Sequence, residues 1–263
     1  MMVANDPLNL DPISTRQSDI IDVAREVGRV GVDDLAARFD VTPQTIRKDL
    51  NELCERNLLQ RVHGGAVLTT RVSNLGYESR RMIASDEKRQ IGIKAASLIP
   101  DDCSLLINIG TTTEQVAKAL MTKKDIVVIT NNINVVNILA GNPQVEVIVA
   151  GGTVRHSDGG VVGETASDFI RQFKVDYAVI GVSAIDADGS LLDYDYREVK
   201  VAHAIIENAR HTILVADNMK YERSAPVRIG HISQINTFVT NQLPSKDLVR
   251  ICTEHDVAIE LAE

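Results

Sequence analysis

A short segment of this chain concentrates polar and cationic side chains: Thr42, Gln44, Thr45, Arg47, Lys48 and Asn51. Amide groups are able to pair with base edges in a major groove, and cations and hydroxyls contact bases or phosphates. Three apolar residues in the same segment recur at i, i+4 and i+7, namely Ile46, Leu50 and Leu53. That spacing is typical of the buried face of a helix. We therefore expect a helix with a buried apolar stripe and an outer face suited to nucleic acid.

The residues around this helix predict a small DNA-binding fold. Thr42 is able to accept a hydrogen bond from a free backbone N–H, and Pro43 suits the first helical position because its missing N–H would be unpaired there. Two helical patterns precede this helix, at 14–26 and 32–39. Two strand-like runs follow it, at 58–62 and 66–68. Paired glycines between the two runs predict a hairpin. The sequence thus predicts a winged helix-turn-helix over 14–68, with the helix-turn-helix motif at about 30–49.

The charge of the whole chain does not favour nucleic acid, because the formal net charge is −8 over 263 residues. Contact with DNA must therefore come from a local patch, or from an assembly that places such patches side by side. Arg61 and His63 lie in the predicted hairpin. We expect them to contact phosphate, which positions a protein on DNA without specifying a sequence.

Several classes of site and location find no support in the sequence. The three cysteines have no metal-type spacing, so we expect reduced thiols and no metal site. The Walker pattern and GxGxxG are both absent, and we expect no cofactor. There is no signal-peptide pattern and no apolar run of membrane-spanning length, so we expect a soluble, cytoplasmic protein.

The rest of the chain predicts a linker and an α/β domain. Residues 69–85 lose apolar periodicity and are expected to connect the two parts. From 86 to 263, strand-like runs alternate with helical ones; the strands are predicted at 104–109, 126–130, 145–150, 177–182, 212–216 and 237–240, with an edge strand at 257–261. The helices are predicted at 112–121, 133–140, 166–172, 197–209 and 246–255. Near-continuous Val, Ile and Leu runs between helices indicate a mostly parallel sheet covered on both faces.

Small polar residues follow several of these strands, where ligands bind in open α/β sheets. The first turn, 110–113, directly precedes a helix whose free N–H groups would attract an anion. Each turn alone is ordinary loop sequence, but together they predict a site for a small phosphorylated ligand. The residues concerned are Gly110, Thr111, Thr112, Thr113, Asn131, Gly151, Gly152, Arg155, Asp217 and Lys220.

Longer strings resemble the DeoR family of bacterial repressors. The family's DNA-binding head is similar to RVGVDDLAARFDVTPQTIRKDLNEL and LLQRVHGGAV, and its sensor domain is similar to INIGTTTEQVAKAL and IVAGGTVRHSDGGVVGE. The resemblance runs from about Arg16 to the C-terminus. It implies a sensor domain that is related in fold to ribose-5-phosphate isomerase. The resemblance also implies that this domain binds phosphorylated sugars or polyols. The resemblance further implies that glycerol-3-phosphate is the inducer, and that its binding releases the repressor from operator DNA.

The resemblance also assigns residues by position. The phosphate loop falls on 110–113, the asparagine turn on Asn131, the glycine pair on 151–152, and a late Asp and Lys on Asp217 and Lys220. Two positions depart from the family, because Asn108 stands where an aspartate is usual and Ala202 where a lysine is frequent. Lys200 is the candidate that would take over from the missing lysine.

These observations favour a ligand-gated repressor without catalytic residues. A helix-turn-helix head normally pairs on two half-sites of double-stranded DNA, so we expect a homo-oligomer, a dimer or a tetramer, with no membrane partner. One alternative keeps the regulator and replaces the inducer with another sugar phosphate. The other alternative is an isomerase-like enzyme that uses carboxylates between 186 and 198, and Asn108 counts against it.

Overall fold

A computed structural model describes residues 13–27, 29–56, 58–62, 64–68 and 77–262. The contacts within the chain form two compact units, and the boundary lies between Ile83 and Ala84.

The first unit contains the predicted helices and the predicted hairpin. Its helices are α1 (Thr15–Val27), α2 (Val32–Arg38) and α3 (Pro43–Glu55), and its strands are β1 (Arg29–Gly31), β2 (Leu59–Val62) and β3 (Gly65–Leu68). The strands form an antiparallel sheet in the order β1-β3-β2. β1 was not predicted, because three residues are too few for a periodic pattern. A Cβ on Gly65 would lie 1.9 Å from the carbonyl oxygen of Val30, so this crossing requires a glycine.

The apolar stripe of α3 is buried, as its spacing predicts. Ile46, Leu50 and Leu53 have no exposed surface, and Leu35 of α2 is equally enclosed. Burial of three or four such side chains, at about 1.5–3 kcal/mol each, holds this small unit together. The helix-turn-helix fold of this part of the chain is therefore confirmed.

The segment predicted as a linker differs from the expectation in part. Residues 69–76 lie outside the described residues, and α4 (Tyr77–Met82) is a helix within the predicted linker range. The guanidinium groups of Arg80 and Arg81 lie 6.0 and 5.8 Å from the ring centre of Tyr77. Contacts of this kind between neighbouring turns stabilise a short helix without an apolar stripe, which is why apolar periodicity did not predict it.

The second unit is built on a seven-stranded sheet. Its strands are β4 (Ser104–Ile107), β5 (Ile126–Thr130), β6 (Val145–Val149), β9 (Val175–Ile180), β12 (Ala209–Val215), β14 (Thr237–Thr240) and β15 (Ala258–Leu261). Their order is β15-β14-β12-β9-β4-β5-β6, and all neighbouring pairs are parallel. The α/β fold class is confirmed, and the last strand lies at an edge as predicted.

Helices cover both faces of this sheet. They are α5 (Ser85–Ser97), α6 (Thr111–Ala119), α7 (Ile133–Leu139), α8 (Glu164–Ile170), α9 (Tyr196–Glu207) and α10 (Lys246–Glu254). Alternate residues of β4 serve the two faces, because Leu105 and Ile107 pack in a cluster with α5, α6 and α7, whereas Leu106 packs with α8, α9 and α10. This two-sided burial explains the continuous apolar runs of the strands.

Some short strands were missed by the sequence analysis. β7 (Thr153–Val154) and β8 (Val161–Val162) form a hairpin, and β10 (Ala184–Ile185), β11 (Ser190–Asp193) and β13 (Val227–His231) form a small antiparallel sheet. Two to five residues interrupted by Gly and Asp give too little alternation to predict a strand. All three cysteines are free thiols.

Candidate DNA interface and candidate ligand site

The outer face of α3 presents the predicted polar side chains. Gln44, Arg47, Lys48 and Asn51 are exposed and Thr45 is half-buried. The exposed Thr42 begins the helix, since its Oγ1 accepts the Thr45 N–H at 3.2 Å and lies 2.9 Å from the Thr45 hydroxyl. This cap fixes the direction of the first turn, from which Gln44 projects; Lys48 follows one turn later.

Contacts with α1 hold the acidic side of α3 away from its outer face. Arg16 Nε donates to Asp49 Oδ2 at 2.6 Å, and Gln17 Nε2 donates to Glu52 Oε2 at 2.6 Å. Asp49 is only 5% exposed, so its charge is matched inside the protein and does not face a phosphate. The distance from Lys48 Nζ to Glu52 Oε1 is 4.0 Å, which is a weak contact. The side chain of Lys48 is 78% exposed, so its ammonium is accessible to solvent. The sequence analysis had not identified the role of Arg16.

The described part of the hairpin includes one of the two residues predicted to contact phosphate. Arg61 lies on β2 opposite Ala66 of β3, and its side chain is exposed. His63 lies outside the described residues. An exposed guanidinium on such a wing is able to contact a phosphate, as the sequence predicted.

In the second unit, the turn after β4 forms a buried cradle. Gly110 has φ 156° and precedes α6, which has no side-chain cap. Thr111, Thr112 and Thr113 are 6%, 5% and 0% exposed. The first N–H groups of a helix have no partner within the helix, so this end carries partial positive charge. The Thr113 hydroxyl lies 2.9 Å from the Asn108 carbonyl oxygen and 2.8 Å from that of Gly110, so it stabilises the turn itself.

Asn108 has a structural function in this turn. Its Nδ2 donates to the Gly181 carbonyl oxygen at 3.3 Å, and its Oδ1 accepts the Gly181 N–H at 2.9 Å. An aspartate at this position would lose the donor of this pair. Asn108, which departs from the family pattern, therefore joins the ends of β4 and β9 through both groups of its side-chain amide.

The asparagine turn after β5 lies at the same end of the sheet. The Thr130 hydroxyl donates to the carbonyl oxygen of Ile107, the last residue of β4, at 2.7 Å. The next residue, Asn131, is 1% exposed and donates through Nδ2 to the Val161 carbonyl oxygen at 2.9 Å. Its Oδ1 is buried and has no hydrogen-bond partner among the described residues. An unpaired buried acceptor costs about 1–3 kcal/mol, which a bound donor would recover.

The glycine pair lies beside the same turn. Gly152 has φ 147°, and a Cβ there would lie 3.1 Å from Val161 Cγ1. Gly151 is exposed and has open space around the position of a Cβ. Open space is therefore present at Gly151, whereas Gly152 packs closely against β8.

Arg155 differs from its predicted function as a cation for the ligand. Its guanidinium makes a bidentate contact with Asp158 at 2.6 and 2.8 Å, and it also donates to Asp195 at 3.0 Å and to Glu198 at 2.5 Å. Two aspartates and Glu198 already occupy the donors of this one guanidinium, so little of its hydrogen-bonding capacity is left for an anion. The sequence did not indicate this because the partners lie up to 43 residues away.

Burial gives this network unequal carboxylates. Burial raises the pKa of Glu198 to about 8, and the charge of Asp193 adds to the effect against the opposing charge of Arg155. Asp195 has its pKa lowered to about 2, mainly by its hydrogen bond with Arg197. At neutral pH, Asp195 is therefore ionised while Glu198 tends to keep its proton.

Lys200 pairs with a carboxylate at the surface of the second unit. Its Nζ donates to Glu164 Oε1 at 2.9 Å, and both side chains are exposed, by 50% and 80%. Ala202, in contrast, is 1% exposed within the core. Lys200 and Ala202 therefore face different directions, because residues i and i+2 of a helix do not share a face, and a contact of Lys200 with the ligand stays a prediction.

The late Asp and Lys lie close to one another. Asp217 is 1% exposed, and its Oδ1 accepts the Met219 N–H at 3.1 Å. Burial raises the pKa of Asp217, but the charges of Lys220, Lys88 and Arg223 outweigh burial, and the net direction is downward. Asp217 is therefore a buried carboxylate surrounded by cations, one of which, Lys88, the sequence analysis had not identified.

Both parts of the chain match known protein families. The DeoR-like helix-turn-helix domain matches residues 16–72, and the DeoR C terminal sensor domain matches residues 83–242. The chain belongs to the DeoR family. The prediction of a DeoR regulator with a DNA-binding head and a C-terminal sensor domain is thereby confirmed.

Curated relatives extend the match over nearly the full length. The glycerol-3-phosphate regulon repressor of Escherichia coli (strain K12) is 43% identical and aligns over 94% of this chain and 98% of that protein. The protein of the same name from Haemophilus influenzae is 45% identical over 88% of this chain and 90% of its own length. The repressor CsqR of Escherichia coli is 38% identical over 94% and 95%. This DeoR-family chain is thus a transcription regulator, and the enzyme alternative loses its support.

Solved structures give weaker similarities. Ribose 5 phosphate isomerase A from Neisseria gonorrhoeae is 14% identical, covers 52% of this chain and 53% of its own, and has a TM-score of 0.38. A score this low carries no argument about the DeoR sensor or its ligand. Within the described part of the chain, no helix is long and apolar enough to cross a membrane, and no group of His, Cys, Asp and Glu is arranged for a metal ion.

Proposed function

We propose that this DeoR-family chain is a transcriptional repressor that binds operator DNA through α3 and leaves it when a small phosphorylated ligand binds. The observation that carries the proposal is the outer face of α3, where Gln44, Lys48 and Asn51 are exposed above a fully buried stripe. A regulator of this kind works in the cytoplasm, where its operators lie. The names of its relatives favour genes of glycerol-3-phosphate metabolism as its targets.

Each side chain of the outer face has a separate proposed contact. Gln44 and Asn51 read base edges, since an amide pairs with adenine through two hydrogen bonds worth about 1–3 kcal/mol in discrimination. Lys48, Arg47 and Arg61 contact phosphates and add affinity at all sequences. Thr42 and Thr45 are already joined in the cap, so any phosphate contact they make extends that cap.

Operator binding by the Lys48→Ala variant tests this interface. We expect weaker binding at all sequences, and a salt dependence whose slope falls by about 0.9 for one lost phosphate contact. The control is Lys118→Ala, which removes an exposed lysine of α6 in the second unit. Full operator affinity and an unchanged slope for Lys48→Ala would show that Lys48 does not contact DNA.

The operator is expected to be read by a homo-oligomer. Two heads bind half-sites one helical turn apart, and an acidic chain gains little affinity from a single head. Sedimentation of the chain with and without operator DNA measures the stoichiometry. A stable complex of one chain with one operator would contradict a dimer or a tetramer.

The ligand is proposed to bind at the cradle formed by 110–113, Asn131 and the 151–152 glycines. Its phosphate would accept hydrogen bonds from the N–H groups at the start of α6. A hydroxyl of the ligand would donate to the unpaired Oδ1 of Asn131, whose burial makes the missing partner costly. Glycerol-3-phosphate offers both a phosphate and hydroxyl groups, as do other sugar phosphates.

Titration of ligands into the operator complex tests this site. We expect release by glycerol-3-phosphate, and no release by glycerol, which lacks the phosphate. Asn131→Asp replaces the amide donor to Val161 with an acceptor and adds a negative charge, and should raise the concentration needed for release. Stronger release by a different sugar phosphate would identify another inducer, and release by glycerol alone would contradict an anion site.

A further inference from the structure

Ala84 has a backbone conformation that alanine rarely adopts. Its φ of 52° and ψ of 42° lie in the left-handed region, where a Cβ crowds the following carbonyl oxygen. The other non-glycine residues with positive φ in the described part of the chain are all aspartates, namely Asp40, Asp102, Asp125 and Asp256. Aspartate tolerates this region because its short polar side chain forms local hydrogen bonds, and alanine has no such group. The conformation of Ala84 is therefore imposed by the structure around it.

The sequence around Ala84 does not require a break between helices. α4 ends at Met82 and α5 begins at Ser85, with neither glycine nor proline between them. Alanine is the strongest helix former, so local propensity favours a right-handed turn at Ala84 that would join the two helices. The first turn of α5 favours the opposite, since Asp86 and Glu87 stabilise a helix that begins there. The segment therefore carries signals both for one continuous helix and for two separate helices.

The break between α4 and α5 coincides with the boundary between the two units. Within the first unit, Arg56, which ends α3, donates to Met82 Sδ at 3.9 Å. Within the second unit, a Cβ on Gly92 of α5 would lie 2.6 Å from the backbone of α6, so these two helices are in contact. Ala84 thus follows a segment that contacts the end of the DNA-facing helix. It precedes a helix that packs against α6, whose first turn forms the cradle.

We propose that Ala84 is a conformational switch of this regulator. In the state that binds the ligand, Ala84 is left-handed and the two helices are separate, as in this structure, where the cradle at 111–113 is buried and formed. In the state that binds the operator, Ala84 is right-handed and one helix runs from 77 to 97. This inference rests on the proposed function, because it concerns the same ligand and the same operator.

The energetic basis of the switch is a difference in ligand affinity between the two states. A ligand that binds the cradle stabilises the present packing of α5 on α6, and with it the broken helix. A change of backbone conformation at one boundary residue alters how the heads of an oligomer are presented to two half-sites, while both cores stay intact. The operator is then released.

Two substitutions of Ala84 shift this equilibrium in opposite directions. Ala84→Gly removes the steric cost of the left-handed conformation and lowers helix propensity, and both effects favour the broken helix, by a combined factor of about 5 to 30. Ala84→Val places a β-branched side chain at positive φ, which disfavours the broken helix by a factor of about 5. The control is Asp102→Gly, which introduces glycine at φ 54° at an exposed position within the second unit.

Operator affinity and release by glycerol-3-phosphate are measured for each full-length variant. We expect Ala84→Gly to bind the operator about 5- to 30-fold more weakly and to be released by less glycerol-3-phosphate. Ala84→Val should bind more tightly and need about 5-fold more ligand, and Asp102→Gly should behave like the wild type. Equal operator affinities for the two Ala84 variants, or shifts in the reverse order, would overturn the switch.

Amide hydrogen exchange of the wild-type chain reports the helix directly, so the test does not depend on the folding of Ala84→Val. The Lys88 N–H donates to the Ala84 carbonyl oxygen at 3.0 Å, and the N–H groups of 85–87 have no partner within α5. A continuous helix would supply those partners. Exchange at 85–87 should therefore slow when the operator binds and recover when glycerol-3-phosphate is added. Exchange that is unchanged by the operator would contradict the continuous helix.

Failure of the proposed function gives a different result. If glycerol-3-phosphate and other sugar phosphates all leave the wild-type operator complex intact, then the proposed inducer mechanism is wrong. The operator affinities of the two Ala84 variants, and the exchange with and without operator, still decide whether the helix switches, because neither measurement requires a ligand.

Discussion

Replacing Arg155 with methionine should destabilise the second unit strongly. Arg155 is the guanidinium shared by Asp158, Asp195 and Glu198. Methionine keeps an apolar stem of similar length and removes the charge. The size of the effect follows from what each carboxylate does after the loss.

Only one of the three carboxylates is left with a large unfavourable energy. Glu198 has a pKa of about 8 because it is buried, so it is able to stay protonated. Asp195 keeps its contact with Arg197 at 2.9 Å. Asp158, whose side chain is 1% exposed, loses the bidentate contact. One buried charge without its cation costs about 3–5 kcal/mol, and we expect this value rather than three times as much.

Thermal unfolding followed by circular dichroism measures this cost. A domain of this size shifts by about 2–4 °C per kcal/mol, so the midpoint should fall by roughly 6–20 °C. The exposed pair of Arg171 and Asp168 provides the control, since Arg171→Met should change stability by at most about 1 kcal/mol. Adding Asp158→Asn to Arg155→Met should recover much of the loss. A midpoint within 2 °C of the wild type, accompanied by weaker ligand binding, would refute this reasoning and return Arg155 to the ligand site.

Further predictions concern the two cores and the pH dependence. Leu50→Ala should destabilise the first unit by about 2–5 kcal/mol and abolish operator binding, while calorimetry still detects ligand binding. Gly92→Ala should lower the free energy of unfolding by about 1–3 kcal/mol, because the new Cβ meets the α6 backbone. In the control Gly141→Ala, the new Cβ has only Met121 Cε near it, at 3.9 Å, so stability should be unchanged. Urea titration measures both variants. Because the folded pKa of Glu198 lies near 8 and the ordinary value is 4.5, the folded state binds more protons in between, and stability should fall as pH rises through that range. Glu198→Gln should remove that fall, and an identical pH profile for both proteins would contradict the shift.

Local pattern was sufficient for most of the architecture. The stripe of Ile46, Leu50 and Leu53 predicts α3 because helical periodicity is a property of neighbouring residues. The runs 126–130 and 237–240 coincide with β5 and β14, since strands buried on both faces must be continuously apolar. Strands of two or three residues, such as β1 and β10, were missed because they contain too few positions to show a period.

The sequence by itself determined the helix-turn-helix, the parallel sheet and the turns that carry the candidate ligand site. Only the tertiary structure decided which charges meet. It paired Arg155 with carboxylates, left Lys200 at the surface with Glu164, and buried Lys88 beside Asp217. The reason is that a side chain's electrostatic partners depend on distance in space and on burial, which residues far apart in the chain set together, whereas periodicity is set by neighbours alone.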